Sequence, residues 1–297
     1  MSTLCILGCG NLGTAILESL IGSTDEKASP LVINRVIACV RSERSEKRLS
    51  ERLSASGNQL KISRADNVQA VNQSDSILLG VDPADVRETL KEPGLVDALA
   101  GKLLISIVAG WTREQIEAVL AEASINNDDD SKIWVVRTLP NIAATVSQSI
   151  TSIEKPDPKL PPEHLEFTDA LFNRIGKTVH LAPSQMDAFT AVGGSTPAFF
   201  AVIVDALIDA SVAVGMPRQE ATATIVQSML GTAILLQSGV HPGVLRDQGT
   251  SPEGCTIGGL MVLEELGVRG RLGRGLREAV TIARLMGKDP HVNDTRH

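Results

Sequence analysis

Three glycines and one threonine are the residues around which chemistry can be argued. Near its start the chain reads CILGCGNLGTAI, Cys5 to Ile16, and Gly8, Gly10 and Gly13 fit G-x-G-x-x-G. An apolar run precedes them, and apolar residues at helical spacing follow. In that context the spacing cradles a dinucleotide. Glycine lets the backbone turn tightly and lets the pyrophosphate approach. The helix start, at Asn11 and Leu12, offers N–H groups to the phosphates. The bland alternative is a strand-to-helix turn that holds nothing.

The end of the next strand separates the cofactors. A site for NAD(H) places Asp or Glu there, bonded to the ribose hydroxyls. This strand ends ACVRSERSEKR, with Arg41 and Ser42 in place of the acid and Arg44 nearby. A guanidinium fork pairs with a phosphate dianion, and a serine hydroxyl adds a hydrogen bond. NADP(H) is therefore expected rather than NAD(H), although Glu43 and Glu46 partly neutralise the patch.

Two stretches in the second half place small residues directly before apolar helical runs. They are TAVGGSTPAFF, Thr190 to Phe200, and GTSPEGCTIGGL, Gly249 to Leu260. Such loops expose N–H groups at helix starts, suited to a carboxylate. Capping alone explains them equally well. Thr256 lies within the second loop, where its hydroxyl would face a bound small molecule.

Elements that position these residues follow from hydrophobic periodicity. Strands are expected at Thr3–Leu7, Asn34–Val40, Asp75–Val81, Lys102–Val108 and Ile133–Leu139. Helices are expected at Asn11–Ile21, at Arg44–Ser56, and after Thr112, whose capping box is completed by Gln115. The acidic run Asn126–Asp130 reads as a solvated connection. Strands apolar on both faces, alternating with helices, imply an α/β fold with a doubly wound parallel sheet of Rossmann type. A proline-rich stretch, Pro156–Pro162, marks a hinge, and from Glu163 onward the pattern is helical. Residues 1–160 are expected to form the NADP(H)-binding domain and residues 161–297 an all-α domain. The apolar helices of that second domain need neighbours to bury them, which suggests a dimer interface.

Composition excludes other classes. The net charge is -7, and the aromatics are five Phe, two Trp and no Tyr, so a nucleic-acid partner is not expected. Cys5, Cys9, Cys39 and Cys255 lack metal-ligand spacing and read as small buried hydrophobes. No metal is expected. No apolar run reaches the roughly 18 residues of a membrane span. The first strand begins almost at Met1, which leaves no room for a targeting peptide and implies a cytoplasmic setting.

At these motifs the chain resembles the pyrroline-5-carboxylate reductase family from GCGNLGTAI to IARLMG. Gly8, Gly10 and Asn11 meet the family's G-x-G-N-M, with Leu12 for Met. VVRTLPN, Val135 to Asn141, resembles V-R-x-M-P-N, and GGSTPAFF resembles G-S-G-P-A-[YF]. VDALIDASVAVGMPR resembles the family's long helix and the G-L-P-R that ends it. HPGVLRDQGTSPEGCTIGGLMVLE resembles H-P-x-x-L-K-D-x-V-x-S-P-G-G-x-T-I-x-x-L-x-x-L-E, the most specific of these signatures.

The resemblance implies a Rossmann domain and a helical dimerisation domain that reduce a cyclic imino acid with NAD(P)H. By resemblance, Ser251, Gly254, Cys255 and Thr256 form the substrate stretch. Backbone N–H groups near Gly254 and Cys255 would hold the carboxylate, and Thr256 would hydrogen-bond the imine nitrogen. Asn67 would contact the adenosine ribose, and Val81 and Pro83 the other edge of the cofactor. Ser106, Val108 and Ala109 would line the nicotinamide region. A protonated imine is already electrophilic, so positioning is the main work required of the protein. His241 reads as a turn residue.

Three positions depart from the family pattern. Asp82 stands where V-K-P has Lys. Gly193 and Thr196 replace the Ser and Gly of S-G-S-G-P. Glu253 replaces the first Gly of S-P-G-G. Three readings follow: a reductase that makes L-proline, a paralogue acting on a related cyclic imine, and an NADPH-binding partner protein that does no chemistry. A β-hydroxyacid dehydrogenase would share the layout, but it commonly needs a helical Lys that the first long helix of the second domain lacks.

Overall fold

The computed structural model describes residues 2–22, 33–124 and 132–286. The acidic run Asn126–Asp130 lies outside the described residues.

Eight strands form one sheet: β1 Ser2–Leu7, β2 Ile33–Val40, β3 Leu60–Arg64, β4 Ser76–Leu79, β5 Leu103–Ser106, β6 Trp134–Leu139, β7 Ser149–Glu154 and β8 Gly176–Leu181. Their order is β3-β2-β1-β4-β5-β6-β7-β8. All neighbours run parallel except β6 and β7. The first six strands have the doubly wound dinucleotide-binding order, which reverses direction between β1 and β4.

Side chains alternate across β1 and so feed two cores. Leu4 and Ile6 pack with Ile16, Leu17, Val36 and Ile105 on one face. Cys5 and Leu7 pack with Ile37, Ile77, Leu104 and Ile116 on the other. Each fully buried Leu or Ile contributes about 1.5–3 kcal/mol, which explains why strands with no polar face form the middle of the sheet. The helices of this region are α1 Asn11–Gly22, α2 Glu43–Arg52, α3 Asn67–Asn72, α4 Val86–Leu90, α5 Leu95–Leu99, α6 Arg113–Ala123, α7 Pro162–Asn173 and α8 Pro183–Gly194. The Thr112–Gln115 capping box opens α6 as expected.

Two expectations are corrected. The chain turns helical at α7 as expected but then returns to the sheet, because β8 extends it to Leu181. Among the described residues, one compact unit comprises those up to Gly194 with 280–286, and the other is Ser195–Ala279, so the division falls later than residue 160. The proline-rich stretch is only a connection between β7 and α7. The second correction concerns apolar length. Pro183–Ala213 is helical and apolar enough, by length and composition, to cross a membrane. Polar residues such as Ser195, Asp205 and Asp209 interrupt it, so no unbroken apolar run is that long although the mean hydropathy is high.

The second unit holds α9 Thr196–Ala213, α10 Arg218–Gln237, α11 Pro242–Gln248, α12 Cys255–Glu265 and most of α13 Val268–Leu285. Its apolar side chains are largely exposed in the single chain, among them Val202, Val214, Ile234, Met261 and Leu266. A helical unit that exposes so much apolar surface needs a partner to cover it.

Candidate cofactor and substrate site

A cavity of about 770 Å³ opens at the carboxyl ends of β1, β2 and β4. Ligands of open α/β sheets bind at such a reversal of strand order. The G-x-G-x-x-G loop forms its floor, and each glycine is required for a different reason. Gly8 has φ +83°, and a Cβ there would lie 2.6 Å from the backbone N and Cα of Val81. Gly13 packs the helix onto the loop, since its Cβ would meet the Gly8 carbonyl at 3.1 Å. At Gly10 a Cβ would meet nothing within 4 Å, so the backbone faces open space. α1 starts at Asn11, and the first-turn N–H groups have no acceptor within the helix. These features fit a pyrophosphate.

The rim is equally defined. Arg41 and Ser42 line the cavity at the end of β2. Ser42 caps α2 by accepting the Ser45 N–H at 3.2 Å. Arg41 Nη1 donates to Asp85 Oδ2 at 2.8 Å. Asn67 also lines the cavity, and its Nδ2 donates to Glu92 Oε2 at 2.7 Å. Val81 contributes the wall against Gly8. Pro83 is not among the lining residues; its carbonyl accepts the Trp111 indole N–H at 2.9 Å.

Ser106 and Val108 are buried at the end of β5, and Ala109 packs on the cluster of Leu139, Met186 and Phe189. None of the three lines the cavity. Cavity residues missed by sequence reasoning include Cys9, Ala65 and Asp85. Burial pushes the Cys9 thiol up to about 11, so it stays neutral. Ala65 holds φ +55°, an uncommon conformation for a residue with a Cβ. Nothing in its sequence context marks that strain.

Of the three departures, Asp82 has a local role. Its carboxylate accepts the Ala84 N–H at 3.0 Å and caps the short 3₁₀ turn at Pro83–Asp85. At Gly193 a Cβ would lie 2.4 Å from the Phe189 ring, so the Ser of the family pattern would require that ring to move aside. Glu253 is exposed and holds φ +58°, which explains why the family pattern has glycine there.

The substrate stretch belongs to the second unit. Gly254 is the N-cap of α12, and no side chain caps that helix. Ser251 lies over Gly254, leaving no room for a Cβ, and its carbonyl accepts the Gly254 N–H at 3.0 Å. Cys255 and Thr256 occupy the first turn of α12, where N–H groups are free for an anion. Among the described residues no cluster of His, Cys, Asp or Glu is arranged to hold a metal.

Within the first unit, a charged chain secures α8 to the sheet. Arg137 on β6 lies 3.7 Å from Glu154 and 3.0 Å from Asp187 on α8. Arg113 approaches Glu154 at 3.3 Å. Neither carboxylate oxygen of Glu154 accepts an aligned hydrogen bond. Burial therefore outweighs the two guanidiniums and raises the Glu154 carboxyl above its ordinary value.

The sheet order and the glycine loop define a dinucleotide-binding protein of Rossmann type with a helical second unit. Comparison with known proteins takes this further. Residues 183–286 match the family described as pyrroline-5-carboxylate reductase dimerisation, and residues 3–110 match the one described as NADP oxidoreductase coenzyme F420-dependent. A pyrroline-5-carboxylate reductase from Lophium arboricola is 43% identical over 99% of this chain and 96% of its own length. The reductase structure from Coxiella burnetii superposes with TM-score 0.80 at 25% identity, covering 97% of this chain and 99% of that one. The Plasmodium falciparum pyrroline carboxylate reductase with NADP bound shares the fold, with TM-score 0.79 at 21% identity over 96% of this chain and 98% of that one. The chain belongs to the pyrroline-5-carboxylate reductase family.

Proposed function

We propose that this protein reduces the cyclic imine 1-pyrroline-5-carboxylate to L-proline, as a cytoplasmic homodimer that uses NADPH. The observation that carries the reading is the cavity floored by Gly8 and Gly10 and rimmed by Arg41. It suits a dinucleotide that bears an extra phosphate. The exposed apolar helices of the second unit supply the surface for a second copy.

Bound NADPH supplies the hydride that adds to the imine carbon. The first-turn N–H groups at Asn11 and Leu12 hold the pyrophosphate, with Gly13 keeping the helix close to the loop. Arg41 and Ser42 take the 2′-phosphate, and Asn67 the adenosine ribose. Val81 flanks the cofactor from the cavity wall, which Pro83, Ser106, Val108 and Ala109 do not reach. Backbone N–H groups of Cys255 and Thr256 at the uncapped start of α12 hold the substrate carboxylate, while the Gly254 N–H is taken by the Ser251 carbonyl and shapes the turn that presents them. Thr256 hydrogen-bonds the imine nitrogen and positions its proton, so that the nitrogen ends as a neutral amine when hydride arrives.

The test is NADPH oxidation with pyrroline-5-carboxylate, run beside NADH and beside Thr256→Ala. Turnover that prefers NADPH and falls by about 10²-fold in kcat/KM in the variant supports the reading. Bound NADPH with no turnover of this imine overturns it. Glu253 favours a second reading, a related cyclic imine as substrate, since its charge adjoins the expected carboxylate site. Parallel assays on five- and six-membered imines decide between them, and a marked preference for pyrroline-5-carboxylate removes the second.

A further inference from the structure

Arg41 and Asp85 face each other across the mouth of the cofactor cavity, 2.8 Å apart, and both line it. Arg41 follows β2 and Asp85 follows β4, so the ion pair joins the two strand ends that flank β1. Most other charges nearby are committed elsewhere; Glu88 also lines the cavity, but the ion pair with Arg41 is made by Asp85. Arg87 and Lys91 both reach Glu122 on α6, at 3.0 and 2.8 Å. Asp82 caps its own turn, and Glu92 accepts from Asn67. Asp85 is thus the carboxylate that engages the arginine expected to read the cofactor.

We propose that Asp85 sets how far this protein discriminates NADP(H) from NAD(H), by occupying the Arg41 guanidinium that a 2′-phosphate must take over. The inference rests on the reading that Arg41 receives that phosphate. Arg41 is 87% exposed, so the pair is weak and screened by salt, and a phosphate dianion displaces the carboxylate at a modest cost. NAD(H) makes no demand on Arg41 and leaves the pair closed. Asp85 then offers a carboxylate to the ribose hydroxyls, the service that an acid at the end of β2 performs in NAD sites. Asp85 therefore weakens NADP(H) and assists NAD(H), narrowing the preference from both sides.

The experiment is calorimetric titration of NADP+ and of NAD+ into the full-length protein and into Asp85→Asn, Arg41→Met and the double variant. Asp85→Asn is expected to tighten NADP+ by about three- to fivefold at low salt, and less at high salt. NAD+ is expected to bind no tighter. In the Arg41→Met background the gain should vanish. An NADP+ Kd unchanged by Asp85→Asn, or a gain that survives without Arg41, overturns the proposal. The failures are distinguishable. If Arg41→Met leaves the NADP+/NAD+ ratio unchanged, the phosphate reading of Arg41 itself is wrong. If that ratio falls but Asp85→Asn is neutral, only the role of Asp85 is wrong.

Discussion

Asn141 Nδ2 donates to the Gly193 carbonyl at 2.9 Å, tying the end of β6 to the last turn of α8. Fifty-two residues separate the partners, and Asn141 is buried. Its Oδ1 accepts the Ala143 N–H at 3.1 Å, so the amide orientation is fixed from both sides. Phe189 presses on Gly193 from within the helix. Asn141→Ala leaves a buried carbonyl without this donor and is expected to cost about 1–3 kcal/mol. Urea unfolding measures it, and a change below about 0.5 kcal/mol would mean that water replaces the amide.

Gly8 and Val81 are in closer contact. A Cβ at Gly8 would sit 2.6 Å from two Val81 backbone atoms, neither of which can rotate away. The positive φ adds a second penalty. Gly8→Ala must therefore push apart the ends of β1 and β4, the floor of the cofactor cavity. The expected result is loss of NADP+ binding by at least about tenfold together with a lower Tm. Titration of the refolded variant checks this, and normal affinity would show that the loop and Val81 move without disturbing the floor.

For Glu253 the magnitudes decide what a substitution reports. Its left-handed backbone costs roughly 1–2 kcal/mol for a residue with a Cβ. Glycine relieves that strain but adds about 0.4–1 kcal/mol of unfolded-state entropy. The balance favours glycine by about 0.5–1 kcal/mol, so Glu253→Gly should raise Tm by only about 2 °C and leave the effect of charge on the substrate readable. Removal of an anion beside an anionic substrate is expected to lower KM by up to about fivefold at low salt. An unchanged KM would show that the carboxylate faces away from the substrate.

The sequence made the central strands legible because β1, β2, β4, β5 and β6 are runs of buried apolar residues. The glycine loop was legible for a related reason, since Gly8 and Gly13 are demanded by contacts local to one strand–turn–helix. β7 escaped notice because SITSIE is polar, yet Ser149, Thr151, Ser152 and Glu154 are buried. Their partners are remote: the Ser149 hydroxyl takes the Asn141 N–H, and Glu154 faces Arg137 and Arg113. No periodicity announces such pairings. β3 and β8 are edge strands with half-buried faces, and LKISR and GKTVHL carry too few apolar residues to stand out. With β7 and β8 unseen, the last strand was placed at Leu139, about forty residues before the sheet ends at Leu181. Asp85 was missed for the reason that hid β7: its partner Arg41 lies 44 residues away.

His164 on α7 packs against Trp134 on β6, with ring centroids 6.2 Å apart. Burial lowers its pKa from the ordinary 6.5, against a smaller opposing pull from Glu163. The fold therefore prefers the neutral imidazole, and below 6.5 the unfolded chain binds more protons than the folded one. Stability from this group is complete above 6.5 and is lost as pH falls through the lower folded value. Between pH 7.5 and pH 5.5 the Tm is expected to drop, and His164→Gln should flatten part of that drop while leaving the pH 7.5 value close to the parent's. Scanning calorimetry at a series of pH values makes the comparison. Parallel Tm profiles for parent and variant would mean that the ring is solvated in both charge states, and the contact with Trp134 would then carry no proton linkage.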